Sequence, residues 1–294
     1  MMNTATRSQL ARVLLVVGPL VTLAVTPWMS YDPINLPKFS LLLAGAGIAL
    51  GLLILDIKAL TDARYRATIV VSALFKLDML LVLITSASPF NQQFFGTNGR
   101  NTGYLAYVSL LILFFAAVVS LDIGRSEKLL WSLFWVGAIS AVYGLAQSVG
   151  WDLINWNNPY APVIGFLGNP DFQSSFLGIG GVVAVAFLFK VKSSWPIRAF
   201  LISYLLLALY VMSKTKAVQG FLVLAVGVVV VLYLYIRNHR RLKALGIPYL
   251  LLSVMAGVIV IVSSLNKGAV GPLLVQIVDY LPWRLLACGM EDDY

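Results

Sequence analysis

Apolar stretches of membrane-spanning length alternate with short polar ones along the whole chain, at 10–29, 39–55, 67–84, 104–121, 129–149, 171–189, 197–212, 218–236 and 245–265. The segment from Val218 to Ile236 (VQGFLVLAVGVVVVLYLYI) is apolar on every face. That pattern belongs to a helix surrounded by lipid; a barrel strand alternates polar and apolar positions, so an outer-membrane barrel is excluded. The predicted fold is an all-α, polytopic transmembrane helical bundle of about nine spans. It comprises a membrane domain over 1–265 and the start of a loop over 266–294. Gly45, Gly47 and Gly51 in the second span and Gly178, Gly180 and Gly181 in the sixth predict close helix approach.

Composition agrees, since 60% of the 294 residues are apolar and only 11% are charged, about half the charge of a soluble domain. Fourteen Lys and Arg flank the spans on the side of the N-terminus, whereas six lie on the other side: Lys38, Arg100, Lys214, Lys216, Lys267 and Arg284. This excess predicts a cytoplasmic N-terminus and an extracytoplasmic C-terminus. The net charge of +9 is then an orientation signal and not a nucleic-acid footprint. Arg7 and Arg12 precede an apolar run too long for a signal-peptide core, with no small-x-small cleavage site, so the first span is expected as a retained helix. The lone Cys288 offers no disulfide or metal-ligand spacing, and there is no P-loop, dinucleotide fingerprint or HExxH, so no metal or cofactor is expected. The single histidine, His239, sits in the basic run Arg237 to Lys243 and reads as a topology determinant.

Candidate chemistry gathers in three polar segments that fall on one predicted side: RNTGY from Arg100, GNPDFQS from Gly168 and SKTKA from Ser213. Lys214 and Lys216 precede a helix N-terminus, whose free N–H groups and positive dipole end make a cradle for an anion such as diphosphate. The competing reading has both lysines snorkelling into lipid headgroups. Arg100 fits bidentate phosphate recognition or a plain interfacial anchor, with Asn101 or Thr102 expected to cap the fourth span. In GNPDFQS, Asn169 fits an N-cap, Pro170 the first helical position and Asp171 the first turn. A functional reading adds hydrogen bonds from Asn169, Asp171 and Gln173 to sugar hydroxyls. Trp151, Trp156 and Tyr160 in the preceding loop can stack on sugars or form an interfacial belt. Lys76 and Asp78 interrupt the third span near its middle; two residues apart, they do not face each other. They read as an interhelical ion pair or as part of a transport path.

FFGTNGRNTGYLAY, GNPDFQS, SKTKA and the closing WRLLACGM, in this order and with these spans between them, resemble the O-antigen ligase and polymerase superfamily, membrane glycosyltransferases of bacterial cell envelopes. The resemblance covers nearly the whole chain. It implies an enzyme of the inner membrane that takes glycan from an undecaprenyl-diphosphate donor and transfers it, on the outer side, to a glycan, lipid or protein acceptor. It also implies that Arg100, Lys214, Lys216 and Arg284 hold the diphosphate, with no cofactor. Departures accompany the match. Lys216 stands where the family has the arginine of a TxSRG-like turn, and Asp279 and Tyr280 occupy a stretch that usually carries an arginine before the tryptophan matching Trp283. Tyr294 lies about thirty residues into the outer loop, short of the family's loop histidine and last helices, so a truncated product or fragment is expected. Two rival classes stay open: a transporter or flippase for lipid-linked sugars, and a membrane scaffold without catalysis.

Overall fold

The computed structural model describes residues 3–29, 31–57, 62–97, 99–152, 154, 156, 161–190 and 194–265. Among them every regular element is helical: α1 Thr4–Leu23, α2 Asn35–Leu55, α3 Arg66–Thr85, the short α4 Phe90–Phe95, α5 Tyr104–Ser120, α6 Ile123–Ser148, α7 Pro170–Leu188, α8 Trp195–Lys214, α9 Gln219–Asn238 and α10 Gly246–Leu265. Each predicted apolar stretch overlaps one of these helices, and α4 is an addition inside the loop before α5. Six helices, α2, α3, α6, α7, α8 and α9, are long and apolar enough to cross a membrane. Of the rest, α1 opens with Arg7 and Arg12, and α5 has 17 residues.

Local chemistry sets the helix ends. Asn3 caps α1, its Oδ1 accepting from the Ala5 N–H at 3.0 Å. The helix ends at Leu23, short of the predicted Met29, because the chain then closes a loop in which Thr26 donates its N–H and its hydroxyl to the Pro33 carbonyl. The Lys38 ammonium of α2 donates to the carbonyls of Val21, Thr22 and Ala24 at 3.2, 2.7 and 2.8 Å. It thereby satisfies the C-terminal acceptors of α1. At the opposite end of the bundle Arg7 and Arg125 both donate to the Ser120 carbonyl at the close of α5. There the Arg64 side chain, hydrogen-bonded to Asp62 before α3, holds that carboxyl down to about 2, and the Arg125 N–H holds Asp122, the cap of α6, below the usual carboxylate range.

The chain divides into two units, 1–227 and 228–294. The first contains two apolar cores. One is built by α6, α7 and α8 around Phe134, Leu177, Leu201, Val211 and Met212, and the other by α1, α2 and α5 around Leu10, Ala49, Leu53 and Phe115. Contacts of α1 with α6 join them. Leu10 is fully buried, so α1 is a packed member of the bundle. The spanning window of α3 buries none of its residues; Ile69 packs on the second core, while Val70, Val71, Leu74 and Leu81 are exposed, as on a lipid-facing helix. The second unit holds the end of α9, a 3₁₀ turn at Lys243–Leu245 and α10.

The glycine expectation holds in part. Gly45 lies against Val17, and Gly178, Gly180 and Gly181 lie against Gly220, Tyr204 and Leu224. Gly47 and Gly51 face open space, because the side of α2 that carries them meets no other helix.

Candidate functional site

Arg100 sits on a turn whose shape is fixed from several sides. The N–H groups of Arg100 and Asn101 both bond to the Thr97 carbonyl at 3.0 and 3.1 Å. Asn35, in the first turn of α2, donates its amide to the Gly99 carbonyl. Asn101 adopts a left-handed conformation, φ 52°, and donates its amide to Asp32 Oδ2 at 3.0 Å. The expected cap of α5 is therefore corrected: Asn101 is committed to Asp32, and the N-cap is Gly103 with no side-chain bond. Arg100 itself is exposed.

SKTKA forms a second anchored turn. Thr215 is 1% exposed; its hydroxyl donates to the Met212 carbonyl at 2.7 Å and accepts from the Ala217 N–H at 3.2 Å. The Ser174 hydroxyl of α7 donates to the Ala217 carbonyl at 3.2 Å and accepts from the Gly220 N–H at 3.1 Å. With its neighbours held from inside, Lys216 projects outward, exposed, in a left-handed conformation at φ 58°. Lys214 is half-buried, its ammonium 5.4 Å from the centre of the Tyr210 ring one turn back.

Left-handed backbone costs a lysine about 1–2 kcal/mol relative to glycine. Lys216→Gly is accordingly expected to raise stability by about 1 kcal/mol, read as a higher midpoint of thermal unfolding in detergent. The same change removes the projecting charge. Among the described residues the non-glycine positions with positive φ are Asp32, Asn101 and Lys216, all in loops at this one end of the bundle.

Packing brings the three polar segments to that end. Gly168 lies against Ile34, next to the Asn35 that holds the Arg100 turn, and Ser174 carries the Lys216 turn. Asn169 is the N-cap of α7, its Oδ1 accepting from Asp171 and Phe172 at 2.8 and 3.3 Å, with Pro170 in the first turn. Asp171 is exposed beside it. Gln173 departs from the surface role expected of it. It is 0% exposed, its Oε1 accepting from the Ser140 hydroxyl at 3.0 Å and its Nε2 facing the same Ser140 at 2.9 Å, so its amide is occupied in the contact between α6 and α7. Arg284, Asp279, Tyr280 and Trp283 lie outside the described residues, as do Lys267, Cys288 and Tyr160.

Lys76 and Asp78 are both exposed on α3, and neither makes an ion pair with a described residue, so the expected interhelical pair is not formed among those residues. Lys76 lines an apolar cavity of about 340 Å³ together with Leu53, Ile69, Ile112 and Phe115 of α2, α3 and α5. His239 directly follows α9, its N–H bonded to the Tyr235 carbonyl at 3.1 Å. No group of three or more His, Cys, Asp or Glu able to hold a metal occurs among the described residues.

A fourth polar structure went unread in the sequence. Gly150, at φ 80°, ends α6 in a Schellman motif: its N–H bonds to Gln147 O at 3.1 Å and the Trp151 N–H to Ala146 O at 2.8 Å. The chain turns back, and Asp152 accepts from the Tyr143 hydroxyl at 2.7 Å and the Gln147 amide at 2.8 Å. The Trp156 indole donates to the Tyr143 oxygen at 2.8 Å, and the Phe166 ring lies 4.4 Å from that of Tyr143. Gln147 Oε1 in turn accepts from the N–H groups of Ile164 and Gly165 at 3.2 and 2.8 Å. The available clue was the spacing of Tyr143 and Gln147, four residues apart on the largely apolar second half of α6. Compared with known protein families, curated proteins and solved structures, the chain matches none.

Proposed function

We propose that this protein is a membrane glycosyltransferase of the O-antigen ligase or polymerase type, with nine spans, a cytoplasmic N-terminus and its site on the extracytoplasmic face of a bacterial inner membrane. What supports the reading most is the pair Arg100 and Lys216, two exposed cations without a hydrogen-bonding or ionic partner among the described residues, each on an anchored turn at the same end of the bundle. Such fixed cations suit a lipid-linked diphosphate: its tails lie among helices while its charge meets a guanidinium and an ammonium at the interface. An acceptor hydroxyl then attacks the anomeric carbon as the bond to the diphosphate oxygen breaks, its proton passes to solvent, and the same cations offset the charge of the departing lipid diphosphate. Lys214, held over Tyr210, contributes at longer range. Asn169 and Asp171 flank the site, with Asn169 Oδ1 already engaged as a cap.

The test uses the purified chain in nanodiscs with an undecaprenyl-diphosphate-linked oligosaccharide. Lys216→Ala and Arg100→Ala are each expected to weaken donor binding about tenfold, which corresponds to about 1.4 kcal/mol, while α-helical content and thermal midpoint hold. Unchanged binding in both variants would sink the reading. A carrier for lipid-linked sugars is the second reading, favoured by Lys76 beside its apolar cavity. It predicts that Lys76→Ala abolishes movement of the lipid across vesicle bilayers, whereas the enzyme reading predicts no such movement in the unaltered protein.

A further inference from the structure

The turn after α6 presents an exposed indole next to an oriented carboxylate. Trp151 is 78% exposed, and its backbone is fixed by the Schellman bond to Ala146, so the indole projects from an anchored position. Asp152 is exposed as well. Its Oδ1 accepts from the Tyr143 hydroxyl and the Ile154 N–H, the latter at 3.1 Å, and its Oδ2 accepts from Gln147. A carboxylate has about four acceptor positions, so Oδ2 keeps capacity toward solvent. The donors that orient it are themselves fixed, Tyr143 by Trp156 and Phe166, and Gln147 by Ile164 and Gly165.

An interfacial aromatic needs only one apolar end and one wet end; it has no use for a carboxylate held by three donors. An aromatic face with an adjacent, pre-oriented, charged acceptor matches a pyranose, which offers a C–H face for stacking and hydroxyl donors at its rim. We propose that Trp151 and Asp152 form a saccharide subsite, Trp151 stacking on one face of a pyranose ring and Asp152 Oδ2 accepting from a ring hydroxyl. Tyr143 and Gln147 are positioning residues. α6 ends where α7 begins, and Gly165, held by Gln147, abuts Gln173 in the first turn of α7. The subsite thus belongs to the same end of the bundle as Arg100 and Lys216. The glycosyltransferase reading supplies its role, binding of the acceptor sugar; the binding itself stands apart from transfer.

The full chain in nanodiscs is titrated with methyl α-D-glucopyranoside, methyl β-D-galactopyranoside and N-acetylglucosamine, and binding is followed by saturation-transfer NMR. At least one is expected to bind, with the strongest transfer to the C–H protons of one ring face. Trp151→Ala and Asp152→Asn weaken that binding at least tenfold, Trp151→Tyr retains it, and Lys216→Ala leaves it unchanged. Trp151 is too exposed for its replacement to unfold the protein, so Trp151→Ala remains informative if Asp152→Asn loosens the turn. Absence of binding by all three glycosides, or equal binding in Trp151→Ala, overturns the subsite. Loss of donor binding in Lys216→Ala with no glycoside bound leaves the diphosphate reading intact and removes only this proposal.

Discussion

Gly220→Ala is expected to cost on the order of 3 kcal/mol and to unseat the turn that carries Lys216. A Cβ at this position would lie 2.2 Å from the Ser174 carbonyl oxygen and 2.3 Å from its hydroxyl. The carbonyl belongs to the backbone of α7 and cannot rotate aside, so α9 has to move away. That movement pulls the Gly220 N–H and the Ala217 carbonyl off the Ser174 hydroxyl, and both bonds go together. Thermal unfolding in detergent measures the loss, with Gly47→Ala as the control: Gly47 faces open space on α2, where alanine gains about 1 kcal/mol of helix propensity. Equal midpoints for the two variants would mean that α7 and α9 do not touch as described.

The second large effect falls on Gln147→Leu. This side chain accepts from two buried N–H groups, those of Ile164 and Gly165, and donates to Asp152. Leucine keeps the volume and strands both donors, at about 1–3 kcal/mol each. Amide hydrogen exchange is the appropriate reading, since protection is expected to collapse at Ile164 and Gly165 while the middle of α6 stays protected. Gln147→Glu keeps the acceptor but loses the donor to Asp152 and sets a second carboxylate against it, so it too should loosen the loop. Unaltered exchange at Gly165 in Gln147→Leu would remove Gln147 as the organiser of this loop.

Features written in neighbouring residues were legible in the sequence. Asn-Pro-Asp at 169–171 fixes a helix start from within one turn, and α7 begins there. The cap of α5 was misread because the partner of Asn101 is Asp32, 69 residues away, and no local pattern announces such a bond. Gln173 was open to a better reading. Asp171 and Gln173 are two apart on a helix, and residues at that spacing do not share a face; Gln173 turns inward to Ser140 while Asp171 faces out. Gly47 and Gly51 went astray for a different reason: composition marks a helix as closely packed without saying which side meets a neighbour. The cations Arg100, Lys214 and Lys216 draw attention in the sequence because charge outside the positive-rich side runs against orientation bias. Asp152 and its partners carried no such contrast.

The double bond of Ser174 has a consequence for how the molecule is made. Its partners follow it by 43 and 46 residues, so a chain growing from its N-terminus completes α7 before Ala217 and Gly220 exist. Until the α8–α9 hairpin arrives, the Ser174 hydroxyl has neither partner. Of the three polar segments, the turn bearing Lys216 is the last to take shape during synthesis, and its cation becomes fixed only once α9 has come to rest against a helix already in place.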